Sequence, residues 1–161
     1  MRRKDREITD MVYIMEIVER ESVCCVAFHD DPCPYLIPLN YGAELENGKL
    51  ILYFHGAPEG TKLERMKQNA NVSFTVFGEN RLRIEKASAC ASSTSFDSVC
   101  GSGLAELVAE QEKKRALAIL MNHLNGGKEK AFDENSFPDT AVEKTIVWKI
   151  TAEKVTGKHH D

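Results

Sequence analysis

The segment 53–62 (Tyr-Phe-His-Gly-Ala-Pro-Glu-Gly-Thr-Lys) has residue types and spacing suited to binding an anion. His55 ends an apolar run, Gly56 and Gly60 bound a short loop, and Lys62 falls in the first turn of a predicted helix. Free amides at a helix N-terminus favour an anion, and a lysine there adds a full positive charge. Glycine also lets a ligand approach the backbone closely. The pattern therefore predicts a phosphate cradle.

An ordinary connection between a strand and a helix explains the same residues. Thr61-Lys62-Leu63-Glu64 fits a capping box, in which the side chains of Thr61 and Glu64 occupy the free amides and Lys62 faces solvent. Glu59 and Glu64 also oppose an anion electrostatically. Spacing alone leaves both the phosphate cradle and the plain connection open.

Two further segments have groups that suit a cofactor. Pro38, within the apolar run 35–41, predicts an edge strand or a bulge, where free backbone groups can contact the edge of a flat heteroaromatic ring. The alternative is an edge strand whose proline only prevents aggregation. The segment 95–103 (Ser-Phe-Asp-Ser-Val-Cys-Gly-Ser-Gly) offers hydroxyls and glycines at a strand start, which suit a phosphate, a ring or an ordinary turn.

Several other kinds of site lack their sequence patterns. There is no G-x-G-x-x-G fingerprint, no Walker loop and no G-x-S-x-G elbow. The five cysteines form no C-x-x-C pair, and the five histidines have no zinc-protease spacing. We therefore expect no metal site.

Composition narrows the class of protein. A chain of 161 residues fits one domain, 1–161, with ordinary globular content of 42% apolar and 29% charged residues. A net charge of -4 argues against a nucleic-acid partner. The sequence has no run of about 18 apolar residues, so no membrane-spanning helix is predicted. The basic start Met1–Arg6 has no apolar region behind it, so we expect a cytoplasmic protein without a secretory signal.

Hydrophobic periodicity predicts three helices and six strands. The helices are expected at 8–18, 61–69 and 110–124, and the strands at 23–28, 35–41, 50–55, 71–77, 98–108 and 145–155. Asn47-Gly48 predicts a type I′ hairpin turn. The stretch 78–97 is weakly patterned and fits either a loop or an irregular strand, whereas 128–139 is expected to be a loop. Strands grouped as hairpins favour an α+β fold with an antiparallel sheet or barrel.

Five motifs, taken in order, resemble one protein family. The sequence is similar to the nitroimidazole-resistance (Nim-type) branch of the pyridoxamine-phosphate-oxidase-like flavoproteins over nearly its whole length. The matching segments are 1–8, Pro38-Leu39-Asn40-Tyr41, 53–62 except Pro58, Ser98-Val99-x-Gly101 and Val155-Thr156-Gly157-Lys158. Together the motifs are specific for the family, but they are not specific for a substrate.

The resemblance implies a fold and a cofactor site. It implies an α+β antiparallel six-stranded split β-barrel of Greek-key type with flanking helices, which binds FMN at a homodimer interface. Some relatives hold FAD instead of FMN. The implied cofactor-binding residues comprise a strand beside the ring, a phosphate loop and a strand start: Pro38, Leu39, Asn40, Tyr41, His55, Glu59, Gly60, Thr61, Lys62, Ser98 and Val99.

The resemblance also implies a function and leaves alternatives open. The first hypothesis is a flavin-dependent oxidoreductase, or nitroreductase, that passes electrons to a small acceptor such as a nitroaromatic. His55 would be catalytic, positioning the acceptor or donating a proton. The alternatives are a non-catalytic flavin-binding or stress-sensing module, an oxidase like pyridoxamine-phosphate oxidase, and a haem-handling split barrel that uses His159-His160.

Overall fold

The computed structural model describes residues 2–127 and 130–161, and this part of the chain contains nine strands and four α-helices. The helices are α1 (Met11–Arg20), α2 (Thr61–Gln68), α3 (Lys113–Leu124) and α4 (Asp139–Val142). The strands are β1 (Glu7–Ile8), β2 (Val23–Phe28), β3 (Tyr35–Asn40), β4 (Gly42–Glu46), β5 (Lys49–Gly56), β6 (Asn71–Phe77), β7 (Arg81–Arg83), β8 (Ser93–Leu107) and β9 (Ile146–His160). Short 3₁₀ turns lie at Lys4–Arg6, Ala89–Ala91, Glu110–Glu112 and Glu134–Ser136.

Local sequence explains most of these elements. Asp10 begins α1 by accepting a hydrogen bond from the Val12 amide, while the apolar stripe of the helix faces the core. In β2 and β6 every second side chain is buried, as expected for strands with one face on a core. Asn47 and Gly48 adopt φ angles of 51° and 78°, which confirms the predicted hairpin turn between β4 and β5.

The strands form one antiparallel sheet in the order β3-β2-β6-β8-β9-β5-β4, with β1 beside β9 and β7 beside β8. The two edge strands of this path, β3 and β4, are joined by the single residue Tyr41. Because one residue spans only a few ångströms, the sheet must curl until the end of β3 reaches the start of β4. We call the region around this joint, residues 38–41 and the end of β5 at 54–56, the seam. Beside it, β5 continues past Tyr53, the partner of Gly42.

The expected six strands are too few. The predicted strand 35–41 is instead β3, and the chain turns at buried Tyr41 into β4, a separate strand. β8 and β9 are each 15 residues long, because ladder pairing with neighbouring strands extends them into small and polar sequence. Local patterning carries no signal for such pairing.

Two other expectations need correction or restriction. Pro38 lies on an edge strand, as predicted, but β3 pairs with β2 in regular register, and the irregularity falls instead between Ser102 and Gly103. The expected loop 128–139 begins with two residues that lie outside the described part of the chain. Its remainder includes the 3₁₀ turn Glu134–Ser136 and the start of α4.

The main core lies inside the curled sheet, where α1 packs. Its largest fully buried side chains include Trp148 and Phe54, whose rings stack with centroids 4.2 Å apart. A second cluster forms where α3 covers the outer face of β5. In contrast, the outer face of β2, β3 and β6 exposes large apolar side chains: Val23, Leu36 and Phe77. A groove of about 450 Å³ crosses this face.

A cluster of charged groups fastens the end of β9 to α1. The Nδ1 atom of His159 lies 2.7 Å from Asp97 Oδ1, and Arg20 donates to the other oxygen of Asp97 at 2.6 Å. The hydrogen bond to Asp97 raises the pKa of His159. Partial burial opposes ionisation of Asp97, but hydrogen bonds from His159 and Arg20 outweigh it and hold the pKa of Asp97 below its usual value.

These shifts predict how stability depends on pH. Because the folded pKa of His159 is raised, its contribution is full below the unfolded value of about 6.5 and is lost as pH rises through the folded value. We expect the stability difference between the wild type and His159→Asn to shrink between pH 6 and pH 9 in urea unfolding. The matched control variant is His29→Asn, at an exposed position outside this cluster. A constant difference for His159→Asn would refute the pairing.

Candidate functional site

Tyr41 fixes the geometry of the seam. Its side chain is fully buried, and its hydroxyl donates a 2.6 Å hydrogen bond to the Val18 carbonyl at the end of α1. Its ring also lies 4.6 Å from the His123 ring of α3. Burial raises the pKa of Tyr41, so the hydroxyl remains a donor. Because both helices hold this residue, any contact of Tyr41 with a ligand must come from its backbone.

The β3 side of the seam presents two exposed residues and one packed residue. Leu39 packs against the core, whereas Pro38 and Asn40 are exposed. The side-chain nitrogen Nδ2 of Asn40 donates to the Ser22 carbonyl at 2.9 Å, which ties the end of β3 to the start of β2. Since β3 is an edge strand of the sheet path, its outer side offers backbone groups to a ligand.

The β5 side of the seam carries the predicted cation. His55 is exposed and lies opposite Val147 of β9. Lys62 folds back over the end of β5, because a Cβ atom added to Gly56 would lie 3.1 Å from its ammonium nitrogen. The lysine is half-buried rather than extended into solvent. Its charge therefore lies at the seam, beside the loop 57–60.

The predicted capping box at the start of α2 is wrong. Gly60 is the N-cap, at a φ of 129°, and among the described residues no side chain caps the helix. The Gly60 carbonyl accepts from the amides of Leu63 and Glu64 at 3.0 and 3.3 Å. Thr61 is already the first helical residue, so its hydroxyl is one position too late to act as the cap. The amides of Thr61 and Lys62 thus have no intrahelical acceptor.

The remaining predicted residues lie elsewhere on the sheet. Ser98 is on β8, paired with Phe77 on one side and Lys158 on the other. Val99 is fully buried and also paired on both sides, so its side chain and ladder groups are already occupied. β2 and β6 separate β8 from β3, a distance of about 14 Å at roughly 4.8 Å per strand. One chain therefore does not bring Ser98 to the seam.

Sequence reasoning missed the groove on the outer face. It is lined mainly by strand residues that face away from the core, among them Cys25, Leu36, Thr75 and Cys100. The available signal was the sequence of β2, which is apolar at every position, including those that face away from the core. Which outward positions become neighbours depends on strand order, which local patterning does not supply.

Two other kinds of site are absent from the described ranges. No helix in 2–127 or 130–161 has the length and apolar character needed to cross a membrane. The same residues contain no group of three or more His, Cys, Asp or Glu side chains placed to hold a metal ion.

A sequence model of the family described as pyridoxamine 5'-phosphate oxidase matches residues 12–159. The chain belongs to this family. A candidate 5-nitroimidazole antibiotic resistance protein from Bacteroides thetaiotaomicron is 32% identical, with a TM-score of 0.79 over 95% of this chain and 86% of the other. These matches confirm the resemblance found in the motifs. No curated protein sequence gave a significant match.

More distant solved structures share the fold. An FAD and heme binding protein from Mycobacterium smegmatis has a TM-score of 0.81 at 17% identity, over 97% of this chain and 74% of the other. A flavocytochrome from Azotobacter vinelandii has a TM-score of 0.79 at 20% identity, over 100% and 72%. At such identities the likeness establishes the architecture of the family and nothing finer.

The start of α2 yields a stability prediction. Because the Thr61 hydroxyl does not cap the helix, Thr61→Ala should change the free energy of unfolding by less than about 0.5 kcal/mol. Asp10→Ala is the matched comparison, because Asp10 does cap α1, and it should cost about 1 kcal/mol. Urea denaturation of both variants measures the difference. An equal loss of unfolding free energy in both variants would show that the Thr61 hydroxyl does cap α2. The amides at the start of α2 would then not be free for an anion.

Proposed function

We propose that the protein is a homodimeric flavoprotein that binds FMN at the seam and passes electrons to a small acceptor such as a nitroaromatic. The observation that carries the proposal is the position of Lys62, whose ammonium lies against Gly56 beside the uncapped start of α2. A cation and free amides facing one place are what a phosphate group requires. Family membership, established from residues 12–159, supports the same assignment.

The phosphate loop fits the group by its shape as well as its charge. A Cβ at Gly60 would meet nothing within 4 Å, so open space lies beside the first turn of α2. Lys62, the amides of Thr61 and Lys62, and the backbone at Glu59 and Gly60 would hold the phosphate. Glu59 is exposed, so its carboxylate can turn into solvent and away from an anion.

The ring would lie along the edge of β3. Backbone groups of Pro38, Leu39 and Asn40 are the nearest candidates to contact its polar edge, and the carbonyl of Pro38 accepts although its nitrogen cannot donate. Tyr41 would act by holding β3 at the seam through its bond to Val18. In this arrangement β3 supplies shape and acceptors, while α2 supplies charge.

A second copy of the chain would complete the site. Ser98 lies away from the seam of its own chain, on the face that exposes Val23, Leu36 and Phe77. Such an apolar sheet face is typical of a surface that packs against a partner. If two copies pack through it, Ser98 of one copy reaches the seam of the other, and Val99 supports that strand from the core. A partner also encloses a flat ring better than one shallow groove does.

The chemistry divides between the cofactor and the chain. When bound, a flavin supplies the capacity to accept and release electrons. His55, exposed at the seam, would position the acceptor or hold a proton for it, because a histidine changes charge near neutral pH. Lys62 would hold the cofactor without taking part in proton transfer.

Other cofactors and other functions make different demands on this chain. FAD in place of FMN has support from the M. smegmatis relative, which is described as binding FAD and heme. Haem would need a free axial nitrogen, but both ring nitrogens of His159 are paired, with Asp97 and Asp161, and those of His160 contact the Thr94 carbonyl and the Arg6 guanidinium. A non-catalytic flavin-binding or stress-sensing module and a pyridoxamine-phosphate-type oxidase differ from the proposal in turnover, which the experiments below measure.

We place the protein in the cytoplasm as part of the same proposal. All five cysteines are free thiols, which suits a reducing compartment. The net charge of -4 supports small-molecule rather than nucleic-acid partners.

Replacing Lys62 tests the cofactor site. Lys62→Ala removes a charge-assisted contact to the phosphate and should weaken FMN binding about ten- to a hundredfold, so the purified protein loses its yellow colour. Lys67→Ala, on the same helix but exposed, is the control and should keep the colour. Visible spectra, with mass identification of the molecule released on denaturation, also distinguish FMN, FAD and haem. Full FMN binding by Lys62→Ala would contradict the site.

Replacing His55 tests the reaction. His55→Ala should leave a yellow protein, because the phosphate contacts remain, but reoxidation of its reduced flavin by a nitroaromatic should slow by about 10²-fold or more. Stopped-flow spectroscopy after reduction by NADH or NADPH measures this rate. An unchanged rate would remove His55 from the mechanism. A wild-type protein that binds flavin but shows no reoxidation by the acceptor would favour the non-catalytic module.

A further inference from the structure

Residues 79–92 leave the sheet after β6 and return at the start of β8, and we call them the arm. Every residue from 79 to 91 is exposed, yet the arm carries two large apolar side chains, Leu82 at 65% and Ile84 at 74% exposure. Its strand β7 pairs only with residues 93–95. A two-stranded ribbon with no core of its own is marginally stable in water, so the arm needs a surface to pack on.

The base of the arm identifies that surface. The Gly78 amide donates to the Asp97 carbonyl at 3.1 Å, and Asp97 directly precedes Ser98. This step rests on the proposed function, in which Ser98 of one copy reaches the cofactor of the other. Gly78, the residue before the arm, is bonded to the neighbour of Ser98. The arm would then begin beside the seam of that second copy.

Charge supports the same placement. Arg83, Lys86 and Glu85 on the arm are exposed and form no ion pair within residues 2–127 or 130–161, and Arg81 is paired with Glu79, so the arm has one net positive charge. Near the seam, Glu59 and Glu64 are likewise exposed and unpaired with other described residues. The two surfaces therefore carry opposite charges that each chain leaves unused, as expected for surfaces that meet between copies.

We propose that the arm of one copy packs over the seam of a second copy, where Leu82 and Ile84 form the apolar wall against which a flat, uncharged acceptor lies beside the flavin. The wall would select acceptors by shape and apolar contact, since two aliphatic side chains offer no hydrogen bond. The arm is thus a specificity-determining segment supplied in trans.

Trypsin tests where the arm lies, because Arg81, Arg83 and Lys86 are all exposed cleavage sites. In the full-length dimer, adding FMN should slow cleavage at these three sites at least tenfold, while cleavage after exposed Lys144 stays unchanged. Mass spectrometry of the fragments measures both. If FMN binds and the arm is still cut at its original rate, the inference is wrong and the proposed function stands. If FMN does not bind, the proposed function itself fails.

Paired substitutions test the apolar wall. Leu82→Ser with Ile84→Ser should leave FMN binding intact, because Lys62 and the amides that would hold the phosphate are unchanged. The dissociation constant for 4-nitrobenzyl alcohol, followed by perturbation of the flavin spectrum, should rise about tenfold as apolar contact is lost. Leu45→Ser, at an exposed leucine on β4, is the matched control. Unchanged affinity in the double variant would overturn the wall.

Mixed dimers test whether the arm acts in trans. A dimer that combines a Lys62→Ala chain with a Leu82→Ser, Ile84→Ser chain retains one flavin site, on the chain with the altered arm. If the arm acts in trans, that site is covered by the native arm of the other chain and should bind the nitroaromatic with native affinity. A tenfold weaker affinity in the mixed dimer would show that the arm acts within its own chain, against the proposal.

Discussion

The closure of the sheet at Tyr41 is the constraint on which the rest of the structure depends. A seven-strand path that returns to its own start through one residue has a fixed curvature, and the buried hydroxyl of Tyr41 bonds that turn to α1. The turn is also crowded from outside, since a Cβ at Gly42 would lie 2.4 Å from the Leu120 Cα of α3. The seam therefore has its shape before any ligand arrives, which favours binding by preorganisation.

Closure determines which parts of the chain meet. It joins the end of β3 to β4 through Tyr41, and β4 lies beside β5, whose following loop turns directly into α2 with Lys62 folded over Gly56. The proposed site draws on both regions although 21 residues of chain lie between Asn40 and Lys62. The same curvature turns the faces of β2 and β6 outward, leaving an apolar surface that α3 does not cover. The site and the surface proposed for a second copy follow from one geometric cause.

The elements that could be predicted are those whose signal is local. The strands 23–28 and 71–77 match β2 and β6 residue for residue, because the first is a continuous short apolar run and the second alternates apolar and polar side chains over its full length. The hairpin at Asn47-Gly48 is equally local, since few residues tolerate its φ angles. β1 and β7 were missed because strands of two and three residues exist only through pairing with β9 and β8. The N-cap of α2 is Gly60 rather than the predicted Thr61, and its φ of 129° lies in a region that favours glycine.

For the site, the sequence by itself determined the residue types: a glycine-bounded loop, a lysine in the first turn of a helix, a histidine at a strand end, and motifs that place the chain in its family. Tertiary structure alone decided which of them adjoin. It folded Lys62 back over Gly56 at the end of β5, left Ser98 about 14 Å from β3 across the sheet, and made an exposed arm of residues whose sequence has no clear pattern. The reason is physical: side-chain pattern fixes which face of a strand is buried, whereas strand order and curvature arise from packing and ladder pairing between segments far apart in the chain.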